Sequence, residues 1–380
     1  MKENLIKQKN FLRDYMPFFQ KTLRELAVIP APSHKEEART EYCFSLMSSF
    51  GVTGHYVDHA QSVIFPYRCD DANEIDVICA HLDTVFPDLT PYPLREDEDY
   101  IHCPGICDDT ANAVLVLSLA KYLAEKQPKT KRGLLLALVT GEEGLGNLKG
   151  TRNLLRNYGT RIKSFVSFDC GFGRIASDCV GSTRYEITVK ETGGHSWGAF
   201  GARNAIANLS RLICRLYEVE VPAAEGTRTT YNVGGISGGI SVNTIAPEAT
   251  VLYEYRSNSY ECMQKMKETF DRIIEEAKEY CTEIEVKVIG ERPCSKIDPA
   301  LQEALVEEMK EMIRAIDPEC EPTCVDMSTD CNIPLSMGIP AVVPGTFVMH
   351  GAHTRGEWLL KSSCENAMNV AFSVLNQRLS

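Results

Sequence analysis

The chain lacks any apolar run of the ~20 residues needed to cross a bilayer, so no membrane-spanning helix is expected. Its first residues, Met1-Lys-Glu-Asn-Leu-Ile-Lys, lack the hydrophobic stretch of a secretory signal. No long basic run relieves a net charge of −12, which argues against a surface for phosphate or nucleic acid. No internal repeat or low-complexity segment is found, which excludes a solenoid or a disordered linker architecture. Cysteine, by contrast, is plentiful at 15 residues, but the number is odd and the chain is long. Without a signal segment these cysteines are read as reduced, buried, small apolar residues of a cytoplasmic protein. Cys103 and Cys107 have the spacing of a zinc pair, yet no second pair at fitting distance completes four ligands.

At 380 residues the chain exceeds what one ordinary core serves, so two domains are the starting expectation. The first 28 residues place Leu5, Phe11, Leu12, Met16, Phe19, Leu23 and Leu26 at helical spacing, and Ile29-Pro30-Ala31-Pro32-Ser33 stops them. A second helix is expected over 35–50, before Gly51. Apolar strands follow at 75–80, 134–139, 165–168 and 341–343, with helices at 111–125 and 357–379. Strands of this kind alternating with helices argue for an α/β domain around a largely parallel sheet. Residues 183–288 have another rhythm. Alternating strands at 185–190, 250–255 and 283–288 are interleaved with helices at 204–219 and 260–280. That order suggests a two-layer α+β module inserted in the larger domain, with Pro293 at its exit. The boundaries expected are 1–180 with 294–380 for the outer domain and 181–293 for the insert.

Residues able to bind metal recur just beyond the expected strands. His81 follows the first, in His81-Leu-Asp83-Thr-Val. Asp108 lies in Gly105-Ile-Cys-Asp108-Asp109-Thr110, before the 111–125 helix, and Glu142 and Glu143 follow the second strand in Gly-Glu-Glu-Gly. Asp169 ends the third strand, and His353 lies past the last in His350-Gly-Ala-His353-Thr354. Singly, each has an ordinary reading: a helix cap, a solvated turn, a structural histidine. Ligand sites of open α/β sheets gather outside the carboxyl ends of strands, so together they converge. Two histidines and three carboxylates suit a pair of zinc ions about 3.5–4 Å apart that share one carboxylate in a hydrolytic site. Asp83, two residues beyond His81, is placed to fix the tautomer of that imidazole. Glu142, beside a ligand but free, is what a general base requires.

These motifs resemble the dizinc metallopeptidase family of peptidase T, carboxypeptidase G, acetylornithine deacetylase, succinyl-diaminopimelate desuccinylase and aminoacylase. The likeness spans nearly the whole chain, since His-Leu-Asp-Thr-Val, Gly-x-x-Asp-Asp, Gly-Glu-Glu-Gly and the final His353-Thr354 occur in the family's order. In the insert, Gly193-Gly-His195-Ser, Asn204-Ala-Ile206, Asn243-Thr-Ile-Ala-Pro247 and Arg256 resemble the family's lid. Thr329-Asp330 and Gly338-Ile-Pro340 resemble its return to the catalytic domain.

The resemblance implies a zinc-peptidase-like catalytic domain and an inserted lid through which two copies pair as a homodimer. It assigns one Zn2+ to His81 and Asp169 and the other to Glu143 and His353, with Asp108 between them, Co2+ and Mn2+ being the substitutes. It makes Glu142 the base and His195, Asn243 and Arg256 the substrate contacts. A cis peptide between Asp108 and Asp109 is also implied. Thr110 departs from the lysine usual after the Asp-Asp pair. Asp169 stands where peptide-cleaving members tend to have Asp and deacylating members Glu, so an exopeptidase or dipeptidase acting on small peptides is expected. The alternatives are a deacylase of N-acyl amino acids and a non-catalytic binding protein of the same fold.

Overall fold

The computed structural model describes residues 2–380, with side chains from residue 7 onward, so that of Leu5 lies outside the described residues. The chain divides into two compact units, Met1–Cys179 with Lys296–Ser380, and Val180–Ser295.

The first unit is built on an eight-stranded sheet. Its strands lie in the order Tyr56–Val57, Val63–Tyr67, Gly133–Val139, Ile75–His81, Ile162–Ser167, Ala341–Pro344, Arg174–Cys179 and Thr323–Met327. The four central strands are mutually parallel, while Val63–Tyr67 and Arg174–Cys179 join them antiparallel. Ile75–His81 and Gly133–Val139 are buried along their whole length. Ile78, Ala80, Leu134, Leu136 and Leu138 pack into one core cluster, and Val77, Cys79, Leu135, Ala137 and Val139 into the other. Two covered faces explain why these strands read as unbroken apolar runs instead of alternating.

Helices Lys2–Ala27, Ala111–Lys126, Pro299–Ile316 and Cys364–Asn376 supply the first cluster through Phe11, Leu115, Met309 and Phe372. Phe11 stacks on Phe372 with ring centroids 4.6 Å apart, which ties the two ends of the chain together. The expected helix over 357–379 begins only at Cys364. Ahead of it, Trp358–Leu360 pairs with Tyr100–His102 in a small side sheet. The cause is Glu357, whose buried carboxylate is taken up by main-chain amides of the Gly105 loop.

The second unit is a four-stranded antiparallel sheet in the order Thr229–Gly238, Glu248–Ser257, Gly181–Lys190, Glu283–Arg292. Helices Ala205–Tyr217 and Tyr260–Ala277 cover one face, burying Ile187, Val189, Val251 and Tyr253 against Leu209, Leu212, Met266 and Phe270. Asn204 and Ser259 cap the two helices by accepting amide hydrogens. The sequence pattern missed the Thr229–Gly238 strand. It is an edge strand, half-exposed and interrupted by glycines, with a bulge between Val233 and Gly235, so no apolar alternation marks it.

Candidate active site

The parallel strands bring their carboxyl ends to one edge of the main sheet, and the acids and histidines of the first unit follow. His81 closes Ile75–His81, Glu142 and Glu143 lie just past Gly133–Val139, and Asp169 just past Ile162–Ser167. Asp108 sits in the turn Ile106–Thr110 that opens the helix Ala111–Lys126. The Asp108–Asp109 peptide is cis.

The carboxylate of Asp108 lies between two imidazoles. Its Oδ1 is 3.0 Å from His81 Nε2 and its Oδ2 is 3.0 Å from His353 Nε2. His353 Nε2 is also 3.1 Å from Glu143 Oε1. Ligand atoms of His81, Asp108 and Glu143 fall within 4.8 Å of one another, and so do those of His81, Glu142 and Asp169. All six residues are thus gathered in one place, and by proximity Glu142 groups with His81 and Asp169.

The hydrogen bonds identify what this arrangement accepts. His81 Nδ1 is 3.0 Å from the main-chain oxygen of Asp83. A carbonyl only accepts, so Nδ1 carries a proton, and without a second proton on the ring Nε2 turns a lone pair toward a carboxylate oxygen. Two lone pairs at that distance repel unless a proton or a cation lies between them. The neighbouring acids show the same deficit of positive charge. Burial, and then the charge of Asp108, pushes Asp169 well above the usual carboxylate range and Glu143 up to about 7. Asp108 itself, although buried, is held low by His353 and His81. Imidazole nitrogens among carboxylate oxygens are the donor set of zinc and similar divalent ions, and the residues present fit a pair of them.

Residues around the cluster hold it in shape. Asp83 serves His81 through its carbonyl, while its carboxylate, 3.6 Å from Nδ1, is spent elsewhere. Oδ1 accepts the amide of Glu142, and Oδ2 accepts the amide of Glu143 and the hydroxyl of Ser33. Glu357 accepts the amides of Gly105, Cys107 and Asp108 at 2.7, 2.7 and 3.0 Å. Asp109 accepts the amide of His81 and the side chain of Asn112. Gly105 is required twice over: its φ is +71°, and a Cβ there would meet Thr84 Cγ2 at 2.5 Å. Thr110, where the resembling proteins usually have lysine, is fully buried and donates its hydroxyl to the Gly105 carbonyl. Its side chain closes the loop on itself. Arg39, buried, donates to the carbonyls of Ile29 and Leu82 and so ties the N-terminal helices to the strand end at His81. Sequence reasoning overlooked Ser33 and Arg39 because they bind main-chain atoms or other side chains, and no ligand spacing marks them.

The remaining candidates belong to the second unit. His195 lies on a two-residue strand paired with Thr244–Ile245, and the Asn243 carbonyl accepts the amide of Ser196, so His195 and Asn243 are neighbours. Arg256 donates through Nε and Nη2 to the two carboxylate oxygens of Glu254.

Residues 77–377 match the profile of peptidase family M20/M25/M40. The chain belongs to this family. A probable carboxypeptidase of Arthroderma otae is 26% identical over 256 residues, 60% of this chain and 56% of that protein. A putative succinyl-diaminopimelate desuccinylase of Mycobacterium tuberculosis is 24% identical over 60% of this chain and 64% of its own. The chain therefore spans little more than half the length of the first of these relatives. Among solved structures, a Staphylococcus aureus tripeptidase superposes with a TM-score of 0.74 at 19% identity, over 94% of this chain and 97% of that one. The Saccharomyces cerevisiae dipeptidase Dug1p gives 0.74 at 13% identity, over 99% and 98%. Both share the α/β fold described above.

Proposed function

We propose that this M20-family chain is a two-zinc exopeptidase or dipeptidase that hydrolyses the amide bond of small peptides. The observation that carries the reading is the Asp108 carboxylate, each oxygen 3.0 Å from the Nε2 of a different histidine. His81 and Asp169 would hold one ion and Glu143 and His353 the other, with Asp108 between them. When bound, zinc, or cobalt or manganese in its place, would polarise the scissile carbonyl and acidify a water. Asp83 fixes the His81 tautomer through its carbonyl and orients Glu142 through the amide it accepts. Glu142 takes a proton from the attacking water as its oxygen bonds to the carbonyl carbon. It then delivers that proton to the leaving nitrogen as the C–N bond breaks. His195, Asn243 and Arg256, exposed or partly exposed on the second unit, are assigned to the substrate by their motif context.

Two classes of variant separate the roles. Glu142→Gln should retain metal and lose roughly 10²–10⁴-fold in kcat, whereas Asp108→Ala and His353→Ala should lose metal itself. Elemental analysis beside turnover distinguishes them, and a Glu142→Gln protein of normal rate would refute the base. The desuccinylase relative favours a second reading, the deacylase. Profiling the zinc-loaded protein against dipeptides, tripeptides and N-acyl amino acids decides, with cleavage of acyl substrates alone overturning the peptidase reading.

A further inference from the structure

The segment that carries Glu142 is gripped by residues outside the proposed ligand set. Glu36 is buried, and both of its carboxylate oxygens are used: Oε1 accepts the amide of His34 at 3.0 Å and Oε2 the ammonium of Lys149 at 2.9 Å. Lys149 is the first residue of the helix Lys149–Tyr158, where the helix dipole disfavours a cation. Its position is explained by what its stem covers. A Cβ on Gly141, whose φ is +68°, would meet Lys149 Cγ at 2.5 Å and Cδ and Cε at 2.9 Å. The lysine therefore lies directly across the main chain one residue before Glu142. The residues on either side of Lys149 complete the grip, with the amide of Leu148 donating to the Gly141 carbonyl and that of Gly150 to the Thr140 carbonyl. Ser33 donates to the carbonyl of Glu143 as well as to Asp83. Ser33 and Glu36 precede the stretch matched by the family profile, which begins at residue 77.

We propose that the ion pair of the buried Glu36 with Lys149 is a positioning device, clamping the main chain at Gly141 so that the Glu142 carboxylate arrives in its working place. The inference rests on the reading of Glu142 as general base. Breaking the pair frees the lysine stem and leaves a buried carboxylate without its partner, and a misplacement of about 1 Å at a reacting group costs on the order of 10²-fold.

The test compares zinc-loaded wild type, Glu142→Gln, Lys149→Met, Lys149→Arg and Glu36→Gln on one cleaved dipeptide. Lys149→Met keeps most of the stem and loses the charge. It should lower kcat roughly 10- to 100-fold while KM stays within about 3-fold and the zinc content is unchanged. Lys149→Arg should restore most of the rate, since its guanidinium also pairs with a carboxylate. Hydrogen exchange at the amides of Glu142 and Glu143 should quicken in Lys149→Met and Glu36→Gln alike. Normal kcat with normal exchange overturns the inference, as does a loss of zinc that accounts for the lost rate. If Glu142→Gln keeps its rate, the base assignment fails instead, and the exchange measurement still decides whether the pair holds the loop. Should Glu36→Gln fail to fold, Lys149→Met carries the test, because its side chain is a quarter exposed.

Discussion

A buried carboxylate that spends both oxygens on main-chain amides cannot be replaced by its own amide, because one of the two positions would then present a donor to a donor. Glu357 is such a residue, with three amides of the Asp108 turn converging on it. Glu357→Gln should therefore loosen that turn and weaken metal binding by about 10- to 100-fold, as loss of a supporting partner does, which titration of the apoprotein with zinc would show. Unchanged affinity would mean the turn holds without it. Asp330 gives a second expectation at this scale. Its Oδ1 accepts the Thr151 hydroxyl, its Oδ2 is buried with no partner, and burial followed by the charge of Glu142 raises it to about 7. Burial and then Asp108 raise Glu357 to about 7 as well. Ordinary values for the two acids are 3.8 and 4.5, so between roughly pH 4 and 7 the folded chain binds protons that the unfolded chain has lost. Stability of the chelated protein should thus fall as pH rises through that window, by at most about 1.4 kcal/mol per pH unit and group. Asp83, held down to about 2, acts in the opposite sense but only below pH 4. Melting the EDTA-treated protein from pH 5 to 7.5 should show the decline, flattened in Asp330→Asn, and a rising Tm would reject the argument.

Secondary-structure elements were legible in proportion to how far local chemistry alone decides them. The central strands announced themselves because burial on both faces demands continuous apolar residues, and their ends told where His81, Glu142, Glu143 and Asp169 would lie. The helix Pro299–Ile316 went unread although its start is signalled: Asp298 caps it by accepting the Ala300 amide, and Pro299 occupies the first turn. The helix expected from 357 failed for a reason sequence spacing does not contain. Glu357 is drawn to amides some 250 positions earlier in the chain, and Trp358–Leu360 pairs with a strand there. The second helix starts at Glu37, two residues later than expected, because Glu36 is committed to His34 and Lys149. Of the candidate site, the residues proposed to offer atoms to a cation stand out in the sequence by positions at or beyond strand ends. Ser33, Arg39, Glu36 and Lys149 offer theirs to neighbouring main chain or side chains, so only the folded geometry gives them a role.

Considered as a whole molecule, the chain raises the question of how His195 and Arg256 can serve one small substrate. His195 pairs with Thr244, four residues before the strand Glu248–Ser257 begins, whereas Arg256 is next to the last residue of that strand. Glu248 to Arg256 spans eight residues of extended chain, on the order of 25 Å. A dipeptide measures well under half that, so the length of this strand alone exceeds that of the proposed substrate. A homodimer resolves this if the His195 of one protomer serves the substrate held by its partner, and the exposed Trp197 and Phe200 beside His195 are residues such pairing would cover. Sedimentation should then give twice the mass of the chain. Mixing His195→Ala with Glu142→Gln protein, each inactive alone, supplies the decisive result. In a mixed two-fold dimer one site would combine an intact Glu142 with an intact His195, and activity should return to at most about a quarter of wild type. If His195 worked within its own protomer, both sites of the mixed dimer would carry a defect and no activity would reappear. A monomer by sedimentation would end the idea of a site shared between protomers.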